Sequence, residues 1–391
     1  MKQKFLDELK MKSKKISAFL FANLISVALL FSEIDLKSMA DSDLVALQEQ
    51  IKAELSEREQ AKKVLALKNL EEAERMVIPE EYLNYKANDD FTEVTIYGFY
   101  IDERDDKREA FENKDLEIPT HIQGIPVKRI STLKNEEYSF FHPQEFRGGI
   151  ERYTFHIKSL YIPDGIILDE GAFENSYIDE VRLPEDMEEI PARLFNESGL
   201  NSIRIPAKVK KIGSEAFRAE TGYYWAKCLK SVFLSEGLEE IGYEAFYGQD
   251  NLESIDFPNS LKIIKEKAFA NDDENVCKFN GKLILPKNLE YLDISTFANK
   301  YIHTMFFPKS IKAIGVYEMF PANHTRCASY PYLEAVEFEE GFSPYISGEN
   351  GYSESLLAVM KGEKIEKNLL LQKKLKSVKC NLENKKFMIK E

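Results

Sequence analysis

The sequence predicts an α+β repeat solenoid, an array of short units around a parallel sheet, preceded by an N-terminal α-helical segment. Two observations predict the array. Versions of the stretch Leu200 to Phe217 recur from Leu116 to Phe338 at a spacing of about 22 residues, within the range of solenoid repeats. The interval from a proline position to a phenylalanine position is also held at 11 residues in five units, Pro184 to Phe195, Pro206 to Phe217, Ser235 to Phe246, Pro258 to Phe269 and Pro286 to Phe297. A third observation, an apolar stripe after Ser38, predicts the helix.

Within one unit the apolar residues fall in two groups. Leu200, Ile203 and Ile205 alternate as a short strand does, and Val209, Ile212, Ala216 and Phe217 turn back beneath it. Such a unit buries only five or six side chains, too few to offset the conformational entropy of ordering its chain. Copies must therefore stack, each burying its apolar side on the next, with the strands aligned as one parallel sheet. A last strand at Leu333, Val336 and Phe338 lacks a second half. A strand of the LxxIxI kind at this period is the signature of a leucine-rich-repeat solenoid.

The pattern IxIPxxVxxIGxxAF, at Ile203 to Phe217 and again within Leu252 to Phe269, resembles the BspA-type leucine-rich repeats of bacterial and protist surface proteins. Leu116 to Val127 is similar to the opening repeat of such arrays, and the resemblance spans Phe91 to Gly341. One position departs from the family: three residues after the phenylalanine, where Cys is frequent, stand Ser176, Ser198 and Gln249, so no cysteine ladder is expected. The resemblance implies binding, because most characterised members are adhesins.

The rest of the 391-residue chain divides around the array. Residues 1–40 hold Lys12, Lys14 and Lys15 before the apolar run Ile16 to Phe31, and Ser38-Met39-Ala40 offers a small-residue cleavage site, the pattern of a secretory leader. Asp7 and Glu8 are unusual there, and an uncleaved anchor or a buried helix of a cytoplasmic protein are the alternatives. Residues 41–80 read as a helical spacer: Ser38 and Asp41 form a capping box, Leu44, Leu47, Ile51 and Leu55 one stripe, and Pro79 ends the run after Met76. Arg58 and Lys62 in the seam argue against a long coiled coil.

The solenoid itself spans 91–341. It opens on a strand from Phe91, with Gly98 at a turn and the charged run Asp102 to Asp106 protecting the first edge. Residues 342–391 are basic and amphipathic, with Leu369, Leu370, Leu371 and Leu375 among lysines. They read as a helical cap over the last repeat, with contact to an anionic membrane as the second reading.

Candidate binding residues lie in two places. Insertions fall after the phenylalanine position, at Phe141–Phe155, Arg218–Lys227, Ala270–Lys278 and Phe320–Tyr332, and so project from one edge. Two are aromatic, with Tyr223, Tyr224 and Trp225 in one and Tyr330 and Tyr332 in the other; such residues anchor interfaces or pack beneath their own loops. The second place is the outward face of the sheet. Alternation puts Tyr161, Arg182, Arg204, Phe233, Asp256, Ile284, Phe306 and Glu337 in one outward row, beside a bland row of Ser159, Glu180, Ser202, Ser231, Ser254, Lys282 and Thr304.

The chain carries no familiar catalytic or metal-binding motif. Cys228, Cys277, Cys327 and Cys380 form no CxxC pair, the five histidines show no HExxH spacing, and no phosphate-binding glycine loop or GxSxG is present. No metal, no cofactor and no catalytic residues are expected. Cys228 and Cys277 could lie near each other, and Asn196 and Asn323 match the glycosylation sequon. A net charge of -14 repels nucleic acid. The expected function is a secreted or surface-displayed, adhesin-like protein that binds a protein, or a glycan, through the sheet face and the aromatic loops. The alternative is a cytoplasmic scaffold oligomerised by its N-terminal helix. Membrane contact is expected only through the apolar leader or the basic tail.

Overall fold

Each unit makes a strand where its β-branched and aliphatic residues alternate, and the structure gives these strands the parallel pairing that the repeat requires. The computed structural model describes residues 74–99, 108–132, 156–219, 229–252, 254–271, 277–298, 300–315, 329–330, 335–342, 345–346, 379–380 and 387–390. All of them belong to one compact unit, Glu74–Glu391.

A first sheet begins with Met76–Val77, Asp115–Glu117, Ile157–Tyr161, Ile178–Arg182, Ser202–Arg204 and Ser231–Phe233, all parallel neighbours in that order. The segment around Ile255 and Phe257 keeps the unit's sequence but forms no strand. A four-stranded sheet then runs Cys277–Ile284, Lys300–Phe307, Ala335–Glu339 and Phe387–Lys390.

The second half of each unit does more than turn back. From the Phe195 unit onward, Glu189–Ile190, Lys211–Ile212, Glu240–Ile241, Ile263–Ile264, Tyr291–Asp293, Ala313–Gly315 and Tyr345–Ile346 form a second parallel sheet, whereas Ile167–Leu168 of the Phe173 unit pairs with Arg129–Ile130. The last unit therefore has the second half that the sequence pattern lacked.

A third ladder runs through the phenylalanine segment. Phe173, Phe195, Phe217, Phe246 and Phe269 donate their backbone N–H to the carbonyls of Leu194, Ala216, Ala245, Ala268 and Thr296 in the next unit, at 2.7–2.9 Å. The rings follow the backbone. Phe173, Phe195, Phe217, Phe246, Phe269 and Phe297 stack in sequence with centroids 5.1–5.7 Å apart and planes within 10°. All six are at most 1% exposed. Offset stacking contributes about 0.5–1.5 kcal/mol per pair beyond the area each ring buries.

Two backbone features make this closeness possible. The residue two before the first five phenylalanines takes a left-handed conformation: Gly171, Arg193, Glu215, Glu244 and Lys267 have φ of 50–67°. Four of the five carry side chains that disfavour it, at roughly 1 kcal/mol each, so the ladder holds them there. At Gly213 and Gly242 the constraint is space, since a Cβ at Gly213 would lie 2.5 Å from the Ala192 backbone nitrogen and one at Gly242 2.8 Å from the Gly213 carbonyl carbon.

The array's first end differs from expectation. From Glu74 the chain is not helical; Met76–Val77 pairs with Leu116–Glu117, and Ile78 donates to the Glu117 carbonyl at 2.9 Å and is 1% exposed. Burial of Met76 and Ile78 against the first repeat ends any helix before Met76, and Pro79 leads into a single 3₁₀ turn, Glu80–Tyr82. The expected helix over residues 41–73 lies outside the described residues, as do the leader and Asp102 to Asp106. The hairpin of Leu83–Ala87 and Val94–Phe99 turns at residues 88–93, and Gly98 sits inside its second strand opposite Asn84.

The other end differs too. Phe387–Lys390 is a strand in register with Val336 to Glu339, and Lys379–Cys380 a strand beside Ser329–Tyr330, where a helical cap was expected. Phe387 and Ile389 alternate as strand residues do, and pairing satisfies the sheet edge directly. Residues 347–378 lie outside the described residues.

Phe246→Ala is expected to cost about 3–5 kcal/mol in chemical denaturation as a core cavity that also breaks two ring stacks; a loss below about 1 kcal/mol would show that the stack carries little. A Gly→Ala change away from such contacts usually stabilises by about 0.4–1 kcal/mol. Gly213→Ala is expected to do the reverse, lowering stability by about 1–3 kcal/mol, because the added methyl meets backbone that cannot step aside.

Candidate functional site: the outward row of the first sheet

The outward row is one register line. Val77 lies beside Glu117, Glu117 beside Tyr161, and Tyr161 beside Arg182. The pairing of Ile203 with Val181 sets Arg204 beside Arg182, and Arg204 pairs with Phe233. In the four-stranded sheet the line resumes through Ile284, Phe306, Glu337 and Met388. The inward neighbours Leu160, Val181, Ile203 and Val232 are buried, so strand alternation holds the row outward.

The row has two halves of different chemistry. In the first, the Tyr161 ring lies between two guanidinium groups, Arg75 at 4.0 Å and Arg182 at 4.6 Å from its centroid. Each arginine is also held by a carboxylate. Arg75 is 3.7 Å from Glu117, and Arg182 donates to Asp164 at 2.7 Å and to the Ile162 carbonyl at 3.2 Å. Arg204 pairs with Glu185. Asp164 and Glu185 occupy the turn after the preceding strand, so each of these two contacts is a strut between neighbouring units, and Glu185 N–H in turn donates to Asp164 at 2.9 Å. The second half is apolar: Phe233 and Phe306 are half-buried, Ile284 is 59% exposed, and Asp256 is exposed between them.

Beside this row Asp115, Ser159, Glu180, Ser202 and Ser231 stand in register. Burial pushes the Glu180 carboxyl up, and Asp179 adds to it. Burial alone would raise Asp115 as well, but hydrogen bonds from Lys158 and Ser159 outweigh it and hold that carboxyl low.

Sequence reasoning placed Tyr161, Arg182, Arg204 and Phe233 on consecutive strands of one face, and the structure brings them together. Phe306 shares the line farther along, and Asp256 is exposed on the segment between the two sheets. Two expected outward positions are buried instead. Ser159 is 2% exposed because its hydroxyl donates to Asp115 at 2.6 Å, and Glu337 is 7% exposed, flanked by the strands of Phe306 and Met388. Tyr223, Tyr224, Trp225 and Tyr332 lie outside the described residues; Tyr330 is in the strand Ser329–Tyr330, and its side chain is likewise outside. The thiols fall outside too. Asn196 is no glycan acceptor, being 5% exposed with its amide donating to Glu174 at 2.7 Å. Arg75 was missed because it fell in the expected helix, although Ile78-Pro79 repeats the Ile-Pro that ends the unit's strand at Ile205-Pro206. Among the described residues, no group of three His, Cys, Asp or Glu is placed to hold a metal ion.

A repeated strand, turn and phenylalanine segment, joined unit to unit by three ladders, defines a leucine-rich-repeat protein. Its array is of the BspA type: residues 149–274 and 221–325 match the model of the BspA type leucine rich repeat region, in six copies. Among solved structures, the pneumococcal vaccine antigen PcpA is similar at 17% identity over 70% of this chain and 84% of that one, with a TM-score of 0.42. A leucine-rich repeat protein from Bacteroides ovatus is 16% identical over 70% and 68%, with a TM-score of 0.42. The leucine-rich repeat protein of T. pallidum is 16% identical over 73% and 94%, with a TM-score of 0.33. No curated protein matches the sequence.

Tyr161→Leu removes both guanidinium contacts while keeping an apolar body. It is expected to cost about 1–2 kcal/mol in urea denaturation, at about 0.5–1 kcal/mol per cation–π contact; an unchanged midpoint would mean that the ring does not hold the two arginines.

Proposed function

We propose that this protein is a non-enzymatic recognition protein that binds a macromolecular partner, a protein in the first place, through the outward row. The observation that carries the reading is the composition of that row in register. Arg, Tyr and Phe are the residues enriched where interfaces bind, and here they line one face without serving the core. The guanidinium half is held in place by rings and carboxylates, which lowers the entropy lost when a partner docks. The apolar half, Phe233, Ile284 and Phe306, offers area to bury, with Asp256 to orient it. The aromatic insertions, with Tyr223, Tyr224, Trp225, Tyr330 and Tyr332, would widen the surface along one edge.

Display at a cell surface or secretion fits the lysine-led apolar run Ile16 to Phe31, and N-terminal sequencing of the mature protein tests it, with a start near Asp41 expected. The binding test uses two exposed residues with no core role. Ile284→Asp combined with Asp256→Lys is expected to weaken capture of partners from host or neighbouring-cell extracts at least about tenfold, with the melting temperature nearly unchanged. Equal capture by the variant would remove the sheet face from the reading.

A further inference from the structure

One joint of the array carries charge that its neighbours do not neutralise. At the position of Gly213, Gly242 and Gly315 the sixth phenylalanine's unit has Asp293, which is 1% exposed. Its Oδ1 accepts from the Ser295 backbone at 2.8 Å and the Ser295 hydroxyl at 2.6 Å, whereas its Oδ2 has no hydrogen-bond partner among the described residues. Oδ2 is wedged against Gly315, where a Cβ would lie 2.4 Å from it and 2.1 Å from the Tyr291 hydroxyl. In the preceding unit Glu266 is 7% exposed and feels Asp293 as a like charge.

The cations nearby are committed elsewhere. Lys267 Nζ reaches Glu244 at 2.8 Å, Lys265 reaches Glu240 at 2.6 Å, and Arg218 bridges Glu197 and Glu244 at 3.1 Å each. Glu244 also accepts from the Tyr243 hydroxyl at 2.6 Å. Neither Glu266 nor Asp293 forms an ion pair among the described residues, and the strand Ala313–Gly315 packed on Asp293 brings no titratable group. A buried carboxylate without a cation favours its neutral form.

We propose that the joint between the Phe269 and Phe297 units is a proton-operated clamp, closed while Glu266 and Asp293 hold protons and loosened when both ionise. The groups titrate in the range this needs. Burial pushes Asp293 up to about 6 against the pull of the two Ser295 bonds, and pushes Glu266 up to about 7, with Asp293 adding and Lys267 opposing. Both values lie above those of the unfolded chain, so the folded form binds more protons between about pH 4 and pH 7. This contribution is therefore present in acid, is lost as pH rises through that window, and stays lost above it. The bonds at stake are local: Phe269 N–H to the Thr296 carbonyl at 2.9 Å, Asn271 N–H to the Ala298 carbonyl at 3.2 Å and Lys267 N–H to the Ser295 hydroxyl at 3.2 Å.

The test is amide hydrogen exchange and thermal unfolding of the full chain from pH 5 to pH 8, comparing wild type with Asp293→Asn and Glu266→Gln. Staying above pH 5 avoids the range in which carboxyls held low, such as Asp115 and Glu239, begin to protonate. Protection of the Phe269 and Asn271 amides, corrected for intrinsic exchange, is expected to fall about tenfold in the wild type between pH 5 and pH 8 and to stay flat in Asp293→Asn. The Phe217 amide, bonded to Ala245 two joints before the clamp, serves as the internal control and should not share the fall. The wild-type melting temperature should drop by on the order of 5 °C more than that of either variant over the same range. Parallel pH profiles in wild type and both variants, or an equal fall at Phe217, would overturn the clamp. If Asp293→Asn fails to fold, Glu266→Gln alone decides, because it removes the partner charge from a less buried position.

Discussion

The body of the array, from Phe173 to Phe297, depends on one backbone contact repeated: the bond from a phenylalanine N–H to the carbonyl one unit on. At 2.7–2.9 Å this bond sets the distance between units, and the ring stack, the parallel sheets beside it and the left-handed residues all conform to it. Nothing else in a unit could do this alone. In the Arg204 and Phe233 units a strand of three residues and a return strand of two offer few bonds each, and a lone unit buries too little apolar surface to order itself. Stability is consequently a property of joints, and a defect at one joint is felt locally before it is felt throughout.

Much of this was legible in the residues. The 11-residue interval from proline to phenylalanine, kept in five of the six units that supply the stacked rings, is an image of the joint; the Phe173 unit reaches the same stack over ten residues from Pro163. The outward row followed from alternation alone, and Tyr161, Arg182, Arg204 and Phe233 fall where period two puts them. What could not be read were contacts between distant segments. Arg75 reaches Tyr161 across the first sheet's edge, and Phe387–Lys390 joins Val336–Glu339 from the far end of the chain. Helical periodicity over 41–76 concealed Ile78-Pro79 as the mark of a strand end, and lysine-rich surroundings concealed the alternation of Phe387 and Ile389. The burial of Ser159 and Glu337 was hidden for the same reason: each depends on a neighbour in another unit.

The outward row and the joints are coupled through the struts. Arg182 and Arg204 are at once members of the row and partners of Asp164 and Glu185 in the preceding turn, so one set of side chains both presents a surface and fixes the spacing on which that surface depends. The apolar half stands more exposed, with Ile284 projecting from its strand, and its units are braced by Lys309 and Glu339 rather than by arginines of the row. A partner meeting this face would find a charged end and a hydrophobic end.

Because the five successive joints from Phe173 to Phe297 use the same backbone bond and the same ring, a unit copied or deleted whole within this stretch leaves matching faces on either side. The face of such an array can therefore be lengthened or shortened by one stripe at a time, as a gene gains or loses a segment by unequal exchange, while the interior is rejoined without redesign. Variation in what is grasped then requires no invention in how the chain folds.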